Sequence, residues 1–109
     1  MAIDKTLVSG STSMLVLRLL SEKDMYGYEI IDTLEQRSRN VFQLKAGTLY
    51  PLLHSLENQN LLHSYEKDAN GRTRKYYSIT KEGNKYLTAK AEEWQEYAGA
   101  VAQVLSLGV

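Results

Sequence analysis

Apolar side chains recur with a helical period in the middle of the chain, between Gln43 and Asn60. Four leucines fall at i, i+3, i+4 and i+7, namely Leu49, Leu52, Leu53 and Leu56. This spacing puts them on one face of an α-helix. We therefore predict a single helix here, entered through a tight turn, with its leucine face in the core.

The opposite side of this helix is polar. At 100° per residue it carries Tyr50, Pro51, His54 and Asn58, with Thr48 and Ser55 at its margin and Lys45 and Gly47 at its entry. Short hydrogen-bonding side chains on an exposed helix face fit a groove about 12 Å wide, the width of the DNA major groove. The stretch is thus a candidate recognition helix. An ordinary amphipathic surface helix has the same pattern, and that alternative stays open on this stretch alone.

A first helix is predicted earlier in the chain, ending near Glu22. Its N-cap candidates are Ser11, Thr12 and Ser13. Leucines and other apolar residues crowd the segment that follows these caps, so we expect the helix to be buried on more than one side. Residues 1–10 form a short arm before it that we expect to be partly ordered.

A second helix is predicted from about Tyr26 to Arg39, after a turn at Lys23 and Asp24. Its apolar positions repeat the same helical spacing, at Gly27, Ile30, Ile31 and Leu34. Together with the leucine-faced helix it forms a helix-turn-helix. The connection, residues 40–46, is longer than in the tightest variety of that motif.

The pattern changes to a period of two after Leu61. Two alternating runs are separated by Asn70-Gly71, a strong turn signal, which predicts a β-hairpin from about Leu62 to Ile79. The tip and descending strand carry Arg72, Arg74 and Lys75, which alternation places on both sides of the ribbon. They serve either as DNA contacts or as charges that protect a strand edge from unwanted pairing. Of the adjacent pair Tyr76 and Tyr77, one points into the core and one outward.

A long final helix is predicted from a cap at Thr80 to about Leu107. Apolar residues follow at spacings of 4, 3, 4, 3 and 4, at Leu87, Ala91, Trp94, Ala98, Val101 and Leu105. This heptad seam is too short for an independent coiled coil, so we predict that it packs on its twin and on the partner's first helix in a two-fold homodimer. The alternative is a helix folded back on its own domain.

Trp94 lies in the middle of this seam, with small residues one turn away at Ala91 and Ala98. It is most simply a buried packing residue. A second hypothesis makes it the wall of a gap between subunits, where a small flat aromatic effector stacks on the indole ring.

Charge is balanced overall and unevenly distributed. The chain has 13 basic and 13 acidic residues. Residues 36–85 contain nine basic and four acidic residues, whereas residues 1–35 and 86–109 are both net acidic. A neutral total argues against a simple nucleic-acid-binding protein, but phosphate contacts require only a local positive surface.

Several classes of site are disfavoured by the composition. There is no cysteine, and the two histidines, His54 and His63, lack the spacing of a helical metal motif, so neither a metal nor a cofactor is expected. No phosphate loop or nucleophile–base spacing suggests an enzyme. No signal peptide or apolar run of membrane-spanning length is present, which predicts a cytoplasmic protein without a membrane partner.

The order of helices and hairpin is that of a winged helix-turn-helix, mainly α with a small β-hairpin. Residues 1–80 are predicted to form the DNA-binding domain and residues 81–109 the dimerisation helix, as one structural unit. Three motifs resemble the PadR family of bacterial transcriptional regulators: Tyr26-Gly27-Tyr28-Glu29-Ile30, Gly47-Thr48-Leu49-Tyr50-Pro51-Leu52-Leu53, and the run from Gly71 to Gly83. A single helix after the wing is similar to the short subfamily.

The resemblance implies a homodimer that binds a palindromic operator in double-stranded DNA, as a repressor released by a small effector. Lys45, Thr48 and Tyr50 lie at the entry of the recognition helix, where backbone N–H groups also favour phosphate. His54, Ser55 and Asn58 are the candidates for base edges, and Arg72, Arg74 and Lys75 for wing contacts. Two rival hypotheses remain: a winged helix used for protein association, and a small-molecule sensor acting through Trp94.

Overall fold

A computed structural model describes residues 5–106, with side chains from residue 10 onward, as four helices and a three-stranded sheet. In chain order the elements are α1 Lys5–Glu22, β1 Met25–Tyr26, α2 Gly27–Arg37, α3 Ala46–Asn58, β2 Leu62–Ala69, β3 Arg72–Ile79 and α4 Lys81–Leu105. The sheet is antiparallel with strand order β1-β3-β2. The predicted fold class, mainly helical with a small hairpin, is confirmed.

The core lies between the three N-terminal helices and one face of the sheet. Its fully buried side chains include Leu17, Ile30, Leu49, Leu53 and Leu62. Burying a leucine or isoleucine side chain stabilises the fold by about 1.5–3 kcal/mol, so this cluster is the main source of stability. The predicted leucine face of α3 is confirmed at Leu49, Leu53 and Leu56, and Leu52 packs at the margin of the core.

Helix α1 begins earlier than predicted. It starts at Lys5 and runs through the serines and threonine that were expected to cap it. Thr12 is buried within this helix, and tertiary packing of that kind overrides local capping preferences. The predicted arm is therefore wrong from residue 5 onward, and residues 1–4 lie outside the described part of the chain.

The connection between α2 and α3 spans residues 38–45. Helix α2 ends at Arg37, two residues before the predicted end, because Arg39 and Asn40 adopt positive φ values of 52° and 68°. Helix α3 is shorter than predicted at both ends, and its chain reverses at Asn60, where φ is 62°. Positive φ cannot continue a right-handed helix, so these residues set the boundaries.

The predicted hairpin is confirmed from Leu62 to Ile79. Its strands pair without interruption, and the turn residues Asn70 and Gly71 both have positive φ, at 54° and 78°, as a tight hairpin requires. Strand β1 was not predicted, because two residues carry no readable alternation. It pairs with β3 through Met25↔Tyr77 and Tyr26↔Tyr76.

Helix α4 begins as predicted at a Thr80 cap, whose hydroxyl accepts a hydrogen bond from the Gly83 N–H at 2.9 Å. Leu87 is buried in the core of its own chain. Its own domain therefore covers most of the Leu87 side chain, which leaves little of it for the predicted dimer seam. The helix ends at Leu105, and the predicted end at Leu107 lies outside the described residues.

Candidate nucleic-acid interface

The outer face of α3 is an exposed polar surface. The predicted DNA-contact residues along it are all exposed to solvent: Lys45, Thr48, His54, Ser55 and Asn58. The Ser55 hydroxyl accepts a hydrogen bond from Gln59 at 3.2 Å, while His54 and Asn58, one turn apart, point from the same side. The structure thus brings these residues together as one surface backed by the leucine core.

The N-terminus of α3 has no capping side chain. Lys45 occupies the N-cap position, and its carbonyl accepts hydrogen bonds from the N–H groups of Thr48 and Leu49 at 3.0 and 2.9 Å. The N–H groups of Ala46 and Gly47, which precede these two donors, donate no hydrogen bond to the N-cap side chain, and the positive end of the helix dipole lies beside a lysine. This combination favours an anion such as phosphate.

Tyr50 has a structural contact as well as an exposed surface. Its ring lies against the backbone of Gly27 at the start of α2, so closely that a Cβ atom at Gly27 would overlap the Tyr50 hydroxyl. Tyr50 also lies near Tyr77. The pKa of the Tyr77 hydroxyl is raised, mainly because the group is buried and to a lesser extent because Tyr50 and Glu57 are nearby. Tyr50 therefore helps to fix α3 against α2, a role that helical periodicity does not reveal.

The wing cations separate onto two faces of the ribbon. Strand alternation places Arg72 and Arg74 on the outer face, with Tyr76, whereas Lys75 shares the helix-facing side with buried Tyr77. The predicted splaying of these three cations is confirmed. The register also decides between the two tyrosines, since Tyr77 enters the core and Tyr76 points outward.

Three tyrosines form a row across the outer face of the sheet. Tyr76 is central, with its ring centroid 5.8 Å from that of Tyr65 on β2 and 5.5 Å from that of Tyr26 on β1. The Tyr65 hydroxyl donates a hydrogen bond to Asp24 at 2.5 Å. This bond is the main cause that raises the pKa of Tyr65 to about 12. The row was missed in the sequence because it depends on the unpredicted β1 pairing.

None of the wing cations is neutralised by a carboxylate among the described side chains. The ion pairs within residues 10–106 join Arg18 and Arg37 to Glu22, Lys23 to Glu29, and Lys90 to Glu93. All of these lie outside the hairpin. The wing cations are thus free of ion pairs within the described part of the chain.

The second half of α4 carries apolar side chains that nothing in the described part of the chain covers fully. Trp94 is 50% exposed, Val101 39% and Leu105 61%, and the alanines of the seam, Ala91 and Ala98, are partly buried. Tyr97 and Val104, which the heptad pattern did not include, are also exposed. No helix within residues 5–106 is long and apolar enough to cross a bilayer.

Comparisons with known proteins give consistent matches. Residues 16–89 match the family model described as the transcriptional regulator PadR-like family. Protein X of Lysinibacillus sphaericus is 41% identical over 91 residues, covering 83% of this chain and 84% of that protein.

Solved structures show the same relationship. A transcriptional regulator from Clostridium thermocellum has a TM-score of 0.86 at 32% identity, covering 94% of this chain and 97% of the other. A PadR family transcriptional regulator from Eggerthella lenta has a TM-score of 0.81 at 35% identity, covering 92% and 86%. The winged-helix architecture is thus shared along nearly the whole chain.

Proposed function

The chain belongs to the PadR-like family of DNA-binding transcriptional regulators, and from this premise we propose that it is a homodimeric repressor of a palindromic operator. The observation that supports this proposal most is the exposed polar face of α3, whose leucines are fixed in the core and whose entry carries uncapped N–H groups. Such a helix can enter a major groove without disturbing the fold.

Each exposed residue of this interface has a role in the proposal. Lys45, Thr48 and Tyr50 contact phosphates near the start of α3, where the backbone N–H groups converge. His54, Ser55 and Asn58 contact base edges further along the helix. Arg72, Arg74 and Lys75 supply wing contacts beside the groove.

The distal half of α4 is the proposed dimer surface. Its exposed apolar residues lie on one continuous helix that begins in the domain core, so a two-fold partner can cover them without any change of fold. Two copies of α3 then meet successive major grooves about 34 Å apart. This geometry requires an operator with two-fold sequence symmetry.

The repressor is tested by binding to the DNA upstream of its own gene. We expect His54→Ala and Asn58→Ala each to weaken specific binding by about 1–3 kcal/mol, the typical value of a base contact. Lys85→Ala, an exposed substitution on α4, is the control. If both α3 variants bind DNA with unchanged affinity, this face of α3 does not contact DNA. Salt-independent binding, or none, would favour a winged helix used for protein association.

Repression itself is tested by transcription in vitro from a promoter that the protein binds. We expect added protein to lower transcript yield, because an operator-bound dimer beside a promoter blocks polymerase. A yield that rises with protein concentration would identify an activator.

Trp94 supports a second part of the proposal, an aromatic effector that binds between the subunits. Its indole ring is half exposed in the single chain and is flanked by the small residues Ala91 and Ala98. Planar aromatic compounds should quench the fluorescence of this single tryptophan, and a saturating quencher should also weaken DNA binding. If these compounds do not change the tryptophan fluorescence, Trp94 is a packing residue and does not bind an effector.

A further inference from the structure

Gly27, the first residue of α2, lies against the Tyr50 ring of α3, and we infer that the absence of a side chain at Gly27 positions Tyr50 for DNA. Gly27 is thus a positioning residue of the interface, which acts through Tyr50 and does not itself touch the duplex. This inference deepens the proposed function, on which it rests, because it identifies what holds one of the proposed phosphate-contact residues in place.

The Tyr50 ring fills the space that a side chain at position 27 would need. A Cβ atom at Gly27 would overlap the Tyr50 hydroxyl oxygen and would lie 2.6 Å from Cζ and 3.0 Å from Cε1 of the same ring. Carbon atoms that are not bonded to each other pack favourably only at about 3.5–4.0 Å. Even a methyl group therefore cannot share this site with the ring in its present position. The three atoms nearest to the site all belong to Tyr50, so no other neighbour explains the glycine as well.

The backbone conformation at Gly27 does not itself require glycine. Among the described glycines only Gly71, in the hairpin turn, has a positive φ, whereas Gly27 begins a regular α-helix. Alanine is a better helix former than glycine, so local propensity alone would favour a side chain at this position. The contact with Tyr50 supplies the physical reason for its absence.

The backbones on both sides of this contact are anchored elsewhere. In α3, Leu49 and Leu53 flank Tyr50 and are fully buried in the core. On the other side, Gly27 directly follows strand β1, which pairs with β3. A side chain at position 27 should therefore displace the Tyr50 ring and leave both backbones in place.

Steric contact, and not a hydrogen bond, holds the Tyr50 ring. Its hydroxyl makes no hydrogen bond to a described residue, and Tyr50 is 40% exposed. An exposed ring without such a bond can change rotamer at little cost in stability. A displaced ring must then be ordered again when DNA binds, and that ordering lowers the affinity. Position 27 therefore controls DNA affinity through the placement of one ring.

The test is a double-mutant cycle between positions 27 and 50, measured by operator affinity and by urea unfolding. Gly27→Ala should weaken operator binding about 10-fold, a typical loss for a hydrogen bond to a charged group, while the urea midpoint stays close to that of the wild type. In a Tyr50→Ala background, which lacks the ring, the same substitution should change the affinity less than about twofold. Coupling of this size is expected for residues in direct contact.

Gly83→Ala is the matched control for a loss of stability alone. A Cβ atom at Gly83 would overlap the Leu61 carbonyl oxygen, and no Tyr50 atom is among its nearest neighbours. This variant should lower the urea midpoint and leave the operator affinity of the folded protein nearly unchanged. If it weakens binding as much as Gly27→Ala does, affinity follows stability and the inference is overturned.

The remaining outcomes separate this inference from the function on which it rests. With His54→Ala and Asn58→Ala still weakening binding, an unchanged affinity of Gly27→Ala, or an equal loss in both backgrounds, would overturn the inference alone. Failure of Gly27→Ala to fold would overturn it too, because the added methyl group would then disturb the backbone and not only the Tyr50 ring. If the wild-type protein does not bind DNA, the proposed function fails as well.

Discussion

The two halves of α4 belong to one continuous helix but have opposite surroundings. In the first half, Gly83 and Leu87 are buried against the domain's own core. In the second half, Trp94 and Val101 retain large exposed apolar surfaces. The same heptad spacing runs through both halves, so the spacing reports an apolar stripe without identifying what covers it. The change along the helix marks where intramolecular packing ends and the proposed dimer surface begins.

The largest expected effect on dimerisation and operator affinity comes from substitutions in the distal half of α4. Val101→Glu combined with Leu105→Glu places two like charges in the proposed dimer surface. We expect a monomer in sedimentation and a loss of operator affinity of about 100-fold or more, because simultaneous binding of two half-sites is lost. Thermal unfolding of the monomer should remain cooperative.

The matched control adds the same charges on another side of the same helix. Ala100 and Gln103 are exposed and lie away from the seam, so Ala100→Glu with Gln103→Glu should leave the dimer intact. If both double variants dissociate equally, or neither does, the distal seam is not the interface.

In the proximal half, Leu87→Ala should destabilise the domain itself. Truncating a buried leucine costs about 2–5 kcal/mol, since apolar burial is lost and a cavity remains. The measurement is urea unfolding in the monomeric background, which removes the dependence of stability on dimer concentration. A loss below about 0.5 kcal/mol would mean that Leu87 is not a core residue.

Replacement of the two glycines of α4 by alanine should change the free energy of unfolding in opposite directions. A Cβ atom at Gly83 would overlap the Leu61 carbonyl, so Gly83→Ala should destabilise by about 1–3 kcal/mol. Gly99 has open space around it, and Gly99→Ala should stabilise by up to about 1 kcal/mol through helix propensity. Unfolding in the monomeric background measures both, and equal shifts would contradict the difference between the halves.

The smallest expected loss of stability comes from a substitution at the start of α4. Thr80→Ala removes the hydroxyl that accepts from the Gly83 N–H and should cost about 1 kcal/mol, the typical value of an N-cap. Thr80→Ser keeps the acceptor and should restore most of the loss. A serine variant as unstable as the alanine variant would show that the cap hydrogen bond contributes little.

Local patterns in the sequence were sufficient to predict much of the fold. The leucine face of α3 follows from spacing, and the hairpin follows from Asn70-Gly71, whose positive φ values only a few residues adopt readily. Features that depend on distant contacts were missed. Strand β1 exists because Met25 and Tyr26 pair with residues 52 and 50 positions away, and α1 continues through its apparent caps because Thr12 is buried.

The residues of the candidate site were likewise predictable only where they follow from local patterns in the sequence. Periodicity placed His54 and Asn58 on the exposed side of α3, but it could not reveal that Tyr50 packs on Gly27. Nor could it decide which of the two adjacent tyrosines of β3 enters the core, since the face on which a strand residue lies depends on the register with its neighbour. Leu87 had the right spacing for a dimer seam and was covered by its own core, because spacing does not specify the partner.

We propose that two copies of the chain present two α3 helices to one DNA site. Selection of bound sequences from a random-sequence duplex pool distinguishes this arrangement from binding by a single copy. Two-fold symmetry predicts enrichment of an inverted repeat with half-site centres one helical turn apart, about 10–10.5 base pairs, or a multiple of that spacing. Enrichment of a single unrepeated motif, or of no sequence at all, would contradict the claim.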